Sequence, residues 1–179
     1  MIVFDLEANG LVHDCTEIHC IVLYDTEDDQ TVIYNNEGGD CDPLVRAVTR
    51  LDDADSIVGH NIISYDLRVI KKLYPFFEPK GEVVDTLILS RLYHPNMLQL
   101  DQKMQWKDMP TKLYGRHSLE SYGYRLDERK GDYGKENDFK VWSQEMQDYC
   151  VQDVAVTRKL CDHFHPYLTG YRLSTKSRH

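Results

Sequence analysis

No run in this 179-residue chain stays apolar for the roughly 18 residues a membrane span requires. The first residues lack a basic stretch followed by an apolar one. Met1 leads directly into Ile2, Val3 and Phe4, which reads as a strand and not as a signal peptide. No membrane is therefore expected as a partner. Cysteine is sparse, with five residues at irregular spacing. An odd count in a chain of this size argues against a disulfide framework and for a reducing, intracellular setting. His13, Cys15, His19 and Cys20 crowd together but lack CxxC or HxxxH spacing, so they read as loop and strand residues with packed thiols and not as a zinc site. Positive charge is also short: 21 Lys and Arg against 30 Asp and Glu leave a net charge of −9. That is the wrong sign for broad contact with duplex phosphates. It suits a site of clustered carboxylates whose charge divalent cations cancel locally, so substrate contact should be short and metal-centred. There is no internal repeat or low-complexity segment. At 41% hydrophobic, the chain has material for one domain with a sizeable core.

What is present reads as an α/β layer protein. Residues 1–7 alternate with Ile2, Phe4 and Leu6 on one side, as in a strand, and Asn9-Gly10 signals a turn. Residues 17–25 and 31–35 form a hairpin. Residues 43–51 are helical, and 55–59 form a short buried strand. A helix over 64–74 stops before Pro75. A brief strand over 82–84 precedes helices at 86–93 and 117–124, and the longest helix spans 142–164. Residues 130–140 read as a mobile surface loop, and 166–179 as a polar, basic tail. The order predicts a mixed central sheet flanked by helices, with the hairpin at one edge.

Asp5 and Glu7 stand two apart on the first strand, so they share a face. A lone pair of this kind usually marks a solvated strand face, but Ile2-Val3-Phe4 implies a central, buried strand where such acids are not expected. Asp66 opens a helix just past a buried strand. Alone it reads as an acid favouring the helix dipole, with Asn61 and Tyr65 adding polar groups at the same loop. Tyr149 and Asp153 are i and i+4 on the long helix, which places a carboxylate beside a tyrosine on its apolar face. An ion pair is one reading of Asp153 and a metal ligand the other, since buried charge needs compensation. Taken together, four carboxylates from separate segments suit magnesium or manganese. Two such ions roughly 4 Å apart can activate a water and stabilise the leaving oxygen of a phosphodiester. Tyr149 would assist the attacking water.

These motifs resemble those of the DEDD, or DnaQ-like, 3′→5′ exonuclease superfamily, which has an RNase H-like fold. FDLE carries Asp5 and Glu7, HNIISYD carries Asp66, and YCVQD carries Tyr149 and Asp153. A tyrosine four residues before the last aspartate is the mark of the tyrosine subclass; the histidine subclass would need a histidine where Asp148 stands. Longer blocks are similar to the proofreading domain of T-odd phage family A DNA polymerases: FDLEANGL, DTLILSRLYHPN, GRHSLESYGYRLDERKGDY and DYCVQDVAVT. The likeness runs from Met1 to about Leu160.

The resemblance implies that Asp5, Glu7 and Asp153 hold one metal ion, that Asp5 bridges to a second, and that Asp66 reaches the second. It places Leu11 against the terminal base and Asn61, with Tyr65 beside it, near the substrate. It implies 3′→5′ removal of nucleoside monophosphates from single-stranded or frayed, mismatched DNA ends in the cytoplasm, that of a host cell if the chain is phage-encoded. Residues 1–165 would form the exonuclease domain and 166–179 the tail. No polymerase region follows in this sequence. Either an excised domain or a stand-alone enzyme serving a separate DNA polymerase is expected, and the short polar tail favours the second. Rival readings are an exoribonuclease, an endonuclease, and a non-catalytic nucleic-acid-binding module on the same fold. Lys103, Lys107, Lys112 and Arg116 in one loop-rich stretch, and Arg125, Arg129 and Lys130 in another, are candidates to guide the strand. Trp106 and Tyr114 are candidates either to stack on bases or to pack on the core.

Overall fold

Five strands form one mixed sheet in the order β3-β2-β1-β4-β5. The computed structural model describes residues 1–38, 40–128 and 139–169. β1 (Ile2–Ala8) lies at the centre, antiparallel to β2 (Ile18–Asp25), which pairs antiparallel with β3 (Gln30–Asn35). On its other side β1 runs parallel to β4 (Ser56–Gly59), and β4 parallel to β5 (Glu82–Asp85). The expected mixed sheet with an edge hairpin is what forms.

The two-residue period of β1 divides its side chains between two cores. Ile2, Phe4 and Leu6 pack with Leu44, Val48 and Leu51 of α1 (Leu44–Asp53) and with Val69 and Ile70 of α2 (Asp66–Leu73). Val3 faces the other way, against Cys150 and Val154 of the last helix. Each such buried side chain contributes about 1.5–3 kcal/mol. The consequence for function is that Asp5 and Glu7, in phase with Val3, project toward that last helix. Between Glu7 and Ala8 the register with β2 shifts in a bulge, a device that turns a strand end out of the regular ladder.

Three helices follow β5: α3 (Thr86–Tyr93), α4 (Met97–Met104) and α5 (Leu119–Arg125), with a 3₁₀ turn at Thr111–Leu113. α6 (Gln144–Thr169) packs on β1, β2 and β4, and on α3 and α5 through Val156, Leu160 and Phe164. Two elements differ from expectation. α4 lies in the stretch read as loop-rich. α6 continues through Pro166, where a proline so near a helix end removes only one late i→i−4 bond. The expected loop over 130–140 lies outside the described residues except at 139–140; of the expected tail over 166–179, residues 166–169 are instead the last turn of α6 and the rest lie outside the described residues. No described helix is long and apolar enough to cross a membrane.

Candidate active site

Asp5, Glu7, Asp66 and Asp153 all line one cleft of about 610 Å³. The four acids come from a central strand, a helix start and a helix interior. Asp5 is only 9% exposed and Asp153 6%. The cleft's lining also includes His60, Asn61 and Tyr65 from the β4–α2 connection and Arg91 from α3, with Arg116, His117 and Ser118 preceding α5. The lining therefore combines carboxylates with basic and polar side chains.

The β4–α2 connection owes its shape to neighbours. At Gly59 an added Cβ would run into Ile62 and the backbone oxygen of Phe4, so glycine permits the close approach of β4 to β1. Asn61 takes a left-handed φ of 66°, a conformation that asparagine tolerates. Asp85, 5% exposed at the end of β5, accepts backbone N–H groups from Asn61 (2.9 Å), Ile63 (3.1 Å) and Leu87 (2.9 Å). It thus caps α3 and holds the loop that delivers Asp66. Thr86 donates to the Gly59 carbonyl at 3.2 Å and lies 2.8 Å from His60 Nδ1. The Tyr65 hydroxyl donates to the Gly10 carbonyl at 2.8 Å and ties this loop to the turn after β1. Burial pushes that phenol above its ordinary range, with Cys15, Asp66, Glu7 and Asp5 adding to the effect.

Asp66 opens α2 as a deeply buried acid. It is 3% exposed, and its Oδ1 is buried without a hydrogen-bond partner. Burial pushes its carboxyl up to about 7, against backbone hydrogen bonds at Asp66 and Leu6 that favour ionisation; the charges of Asp85 and Asp153 add to the rise. An orphaned buried carboxylate oxygen among like charges fits a cation-binding role. The donor set is oxygen-rich, which suits a hard divalent ion. Asp5, Glu7 and Cys150 offer ligand atoms all within 4.8 Å of one another, the closest such grouping among the described residues.

Two expected residues stand apart from the cleft lining. Tyr149 is half-buried on α6, one turn before Asp153, and Leu11 is 72% exposed one residue past the Gly10 carbonyl that anchors Tyr65. The suspected basic guides divide. Arg116 lines the cleft, and Lys103, Lys107 and Lys112 are exposed outside it. Arg125 does not guide a strand. Its side chain is 5% exposed and forms a bidentate pair with the fully buried Asp101, at 2.9 and 2.7 Å. The half-buried Trp106 also donates to Asp101, at 2.8 Å, which fixes its indole edge beside the ion pair. Arg129 and Lys130 lie outside the described residues. Cys15 and Cys20 are buried in separate core clusters on opposite faces of the sheet, and all five cysteines are free.

Residue-by-residue reading missed Asp85, His60, Arg91 and His117. An acid closing a strand directly before a helix was the available signal for Asp85. His117 had none: its Nδ1 reaches Ser90 Oγ at 2.6 Å, and Ser90 reaches the Tyr122 hydroxyl at 2.5 Å, contacts between three separate segments. Burial, with Arg125 and Arg91 nearby, holds the His117 imidazole below its ordinary range.

A family model described as the RNase_H superfamily matches residues 2–165. The chain belongs to that superfamily. DNA-directed DNA polymerases of Escherichia phage T7 and Enterobacteria phage T3 are each 37% identical to it over 188 residues, covering 90% of this chain and 26% of the relative. It thus spans about a quarter of the length of the curated relatives it matches. Among solved structures, Brucella melitensis NrnC with bound Mg²⁺ superimposes with a TM-score of 0.59 at 20% identity, over 96% of this chain and 75% of that one. Product-bound exonuclease I gives 0.56 at 14% identity, over 95% and 45%. The Aedes aegypti Nibbler EXO domain gives 0.51 at 12%, over 92% and 80%. At these identities the superpositions speak to the fold.

Proposed function

We propose that this member of the superfamily is a metal-dependent 3′→5′ exodeoxyribonuclease of the tyrosine subclass, releasing nucleoside monophosphates from single-stranded or frayed, mismatched DNA ends. The observation that carries the reading is the convergence of four carboxylates on one cleft, with a buried Asp66 oxygen that has no protein partner. Asp5, Glu7, Asp66 and Asp153 would hold two divalent ions, Mg²⁺ or Mn²⁺. Such a pair supplies an activated water and a stabilised leaving oxygen at the scissile phosphate. Tyr149, one turn before Asp153, orients the attacking water. Asn61 and Tyr65, in a loop pinned by Asp85, hold the terminal nucleotide, and Leu11 packs on its base. Arg91 and Arg116, which line the same cleft, offset the charge of the incoming strand, which reconciles a net charge of −9 with an anionic substrate. DNA is favoured over RNA because the curated relatives at 37% identity are DNA polymerases. Residues 1–165, together with the last turn of α6 to Thr169, form the exonuclease domain. The partner is a DNA 3′ end, with a DNA polymerase acting alongside either in the same chain or as a separate one, and the setting is the cytoplasm, that of a host cell if the chain is phage-encoded.

The test is digestion of 5′-labelled single-stranded, paired and mispaired DNA, with matched RNA alongside. A ladder shortening from the 3′ end in Mg²⁺ or Mn²⁺, and none in EDTA, is expected. Closed circular DNA should survive. Asp5→Ala and Asp153→Ala should each lower the rate by at least about a hundredfold, the upper end of what losing even an outer partner of a metal site costs. Near-normal activity in either variant would refute the ligand assignment, and faster loss of RNA would move the substrate class.

A further inference from the structure

The cleft acids have a sulfur neighbour that the proposed reaction does not use. Cys150 is fully buried on α6, three residues before Asp153, and its thiol donates to Asp5 Oδ2 at 3.5 Å. Cys20, opposite Glu7 in the β1–β2 ladder, is buried in the same cluster as Cys150. Asp5, Glu7 and Cys150 present one carboxylate oxygen each and a sulfur, all within 4.8 Å. A tetrahedral zinc bound by one sulfur and one carboxylate oxygen sets those two atoms roughly 3.6 Å apart. The Cys150–Asp5 separation already matches that span. Asp66 Oδ1, buried and without a partner, lines the same cleft and marks it independently as a cation site.

We propose that Cys150 makes this site a trap for thiophilic divalent ions, with Cd²⁺ or Zn²⁺ held by the Cys150 sulfur together with Asp5 and Glu7 in place of the hard ion. The inference rests on the metal-site reading above. Hard ions prefer oxygen and leave the thiol as a neutral donor to Asp5; a thiophilic ion draws sulfur into its shell. Binding releases the thiol proton to solvent, one per ion, and moves no electrons. Asp5 and Glu7 border the cleft and give the ion its path, and Cys150 closes the site from behind.

Titration of the metal-free protein with Cd²⁺ tests this, read by the ultraviolet thiolate-to-cadmium charge-transfer band and by calorimetry. One equivalent should raise the band. Cys150→Ser should abolish it and weaken Cd²⁺ binding by at least about 10- to 100-fold, and Asp5→Asn should weaken it too. A band unchanged in Cys150→Ser would place the sulfur elsewhere. A band unchanged in Asp5→Asn would mean that Cys20 and Cys150 bind alone. No band in the wild type, or a ¹¹³Cd resonance at the oxygen-only position, would also overturn the proposal. The ¹¹³Cd measurement needs no variant, so a misfolded substitution cannot obscure it. The same wild-type preparation is assayed for Mg²⁺-dependent digestion. Absence of digestion with the band present would sink the nuclease reading and leave the Cys150 site standing.

Discussion

The Asp85 carboxylate accepts the backbone N–H of Asn61 at 2.9 Å, so an acid at the end of β5 dictates the path of the chain leaving β4. The same group holds the N–H groups of Ile63 and Leu87. Asp85→Ala orphans all three donors, each at about 1–3 kcal/mol where water cannot replace the acceptor. We predict a clear loss of stability in urea denaturation and a fall of about 10- to 100-fold in the Mg²⁺-dependent rate under single turnover. A normal rate in a destabilised variant would limit Asp85 to structure.

Asn61 separates conformation from contact. Its φ of 66° costs an alanine about 1–2 kcal/mol and a glycine almost nothing. Asn61→Gly should therefore melt near the wild type, and Asn61→Ala below it. Both should bind a DNA 3′ end more weakly if the side chain meets substrate. Glycine restoring full affinity would leave only the backbone as the reason for asparagine.

Asp66 makes the metal-free fold sensitive to pH. Its carboxyl stands near 7 when folded, against an ordinary value of 3.8. Between these values the native state binds more protons than the unfolded chain. Stability is thus full below about pH 4 as far as this group is concerned, and falls as pH rises toward 7. We predict that Mg²⁺ raises the melting temperature more at pH 8 than at pH 5, and that Asp66→Asn flattens the metal-free dependence. An equal Mg²⁺ effect at both values would contradict the raised carboxyl.

The Asp101–Arg125 pair should behave in the opposite sense. Burial alone would raise the Asp101 carboxyl, but the Arg125 guanidinium, the Gly115 N–H and the Trp106 N–H outweigh it and hold it below its ordinary value. Its stabilisation is present above the unfolded value and disappears as pH falls through the folded one. Arg125→Met removes the counter-charge of a buried carboxylate and leaves it only the Gly115 and Trp106 N–H groups, at a cost of up to about 3–5 kcal/mol. Urea titrations at pH 7 and pH 3 should show a large deficit at neutrality that narrows in acid. A deficit of similar size at both would mean that packing, not charge, holds the pair.

Local pattern alone identified β1 and its paired acids, the helix opening at Asp66, Asp153 on an apolar helix face, and the mixed sheet, because a period of two or near four is written into adjacent residues and needs no distant partner. It misjudged the segments whose role depends on contacts far along the chain. Arg125 looks like a surface charge until Asp101, 24 residues earlier, is found beneath it. Trp106, open in sequence to stacking or packing, is tied by its N–H to the same carboxylate. Asp85 and Cys150 are ordinary residues in sequence. They acquire meaning only when β5 lies beside β4 and α6 crosses β1. Hydrogen bonds and ion pairs act over a few ångströms, and only folding brings residues separated by tens to more than a hundred positions within that range.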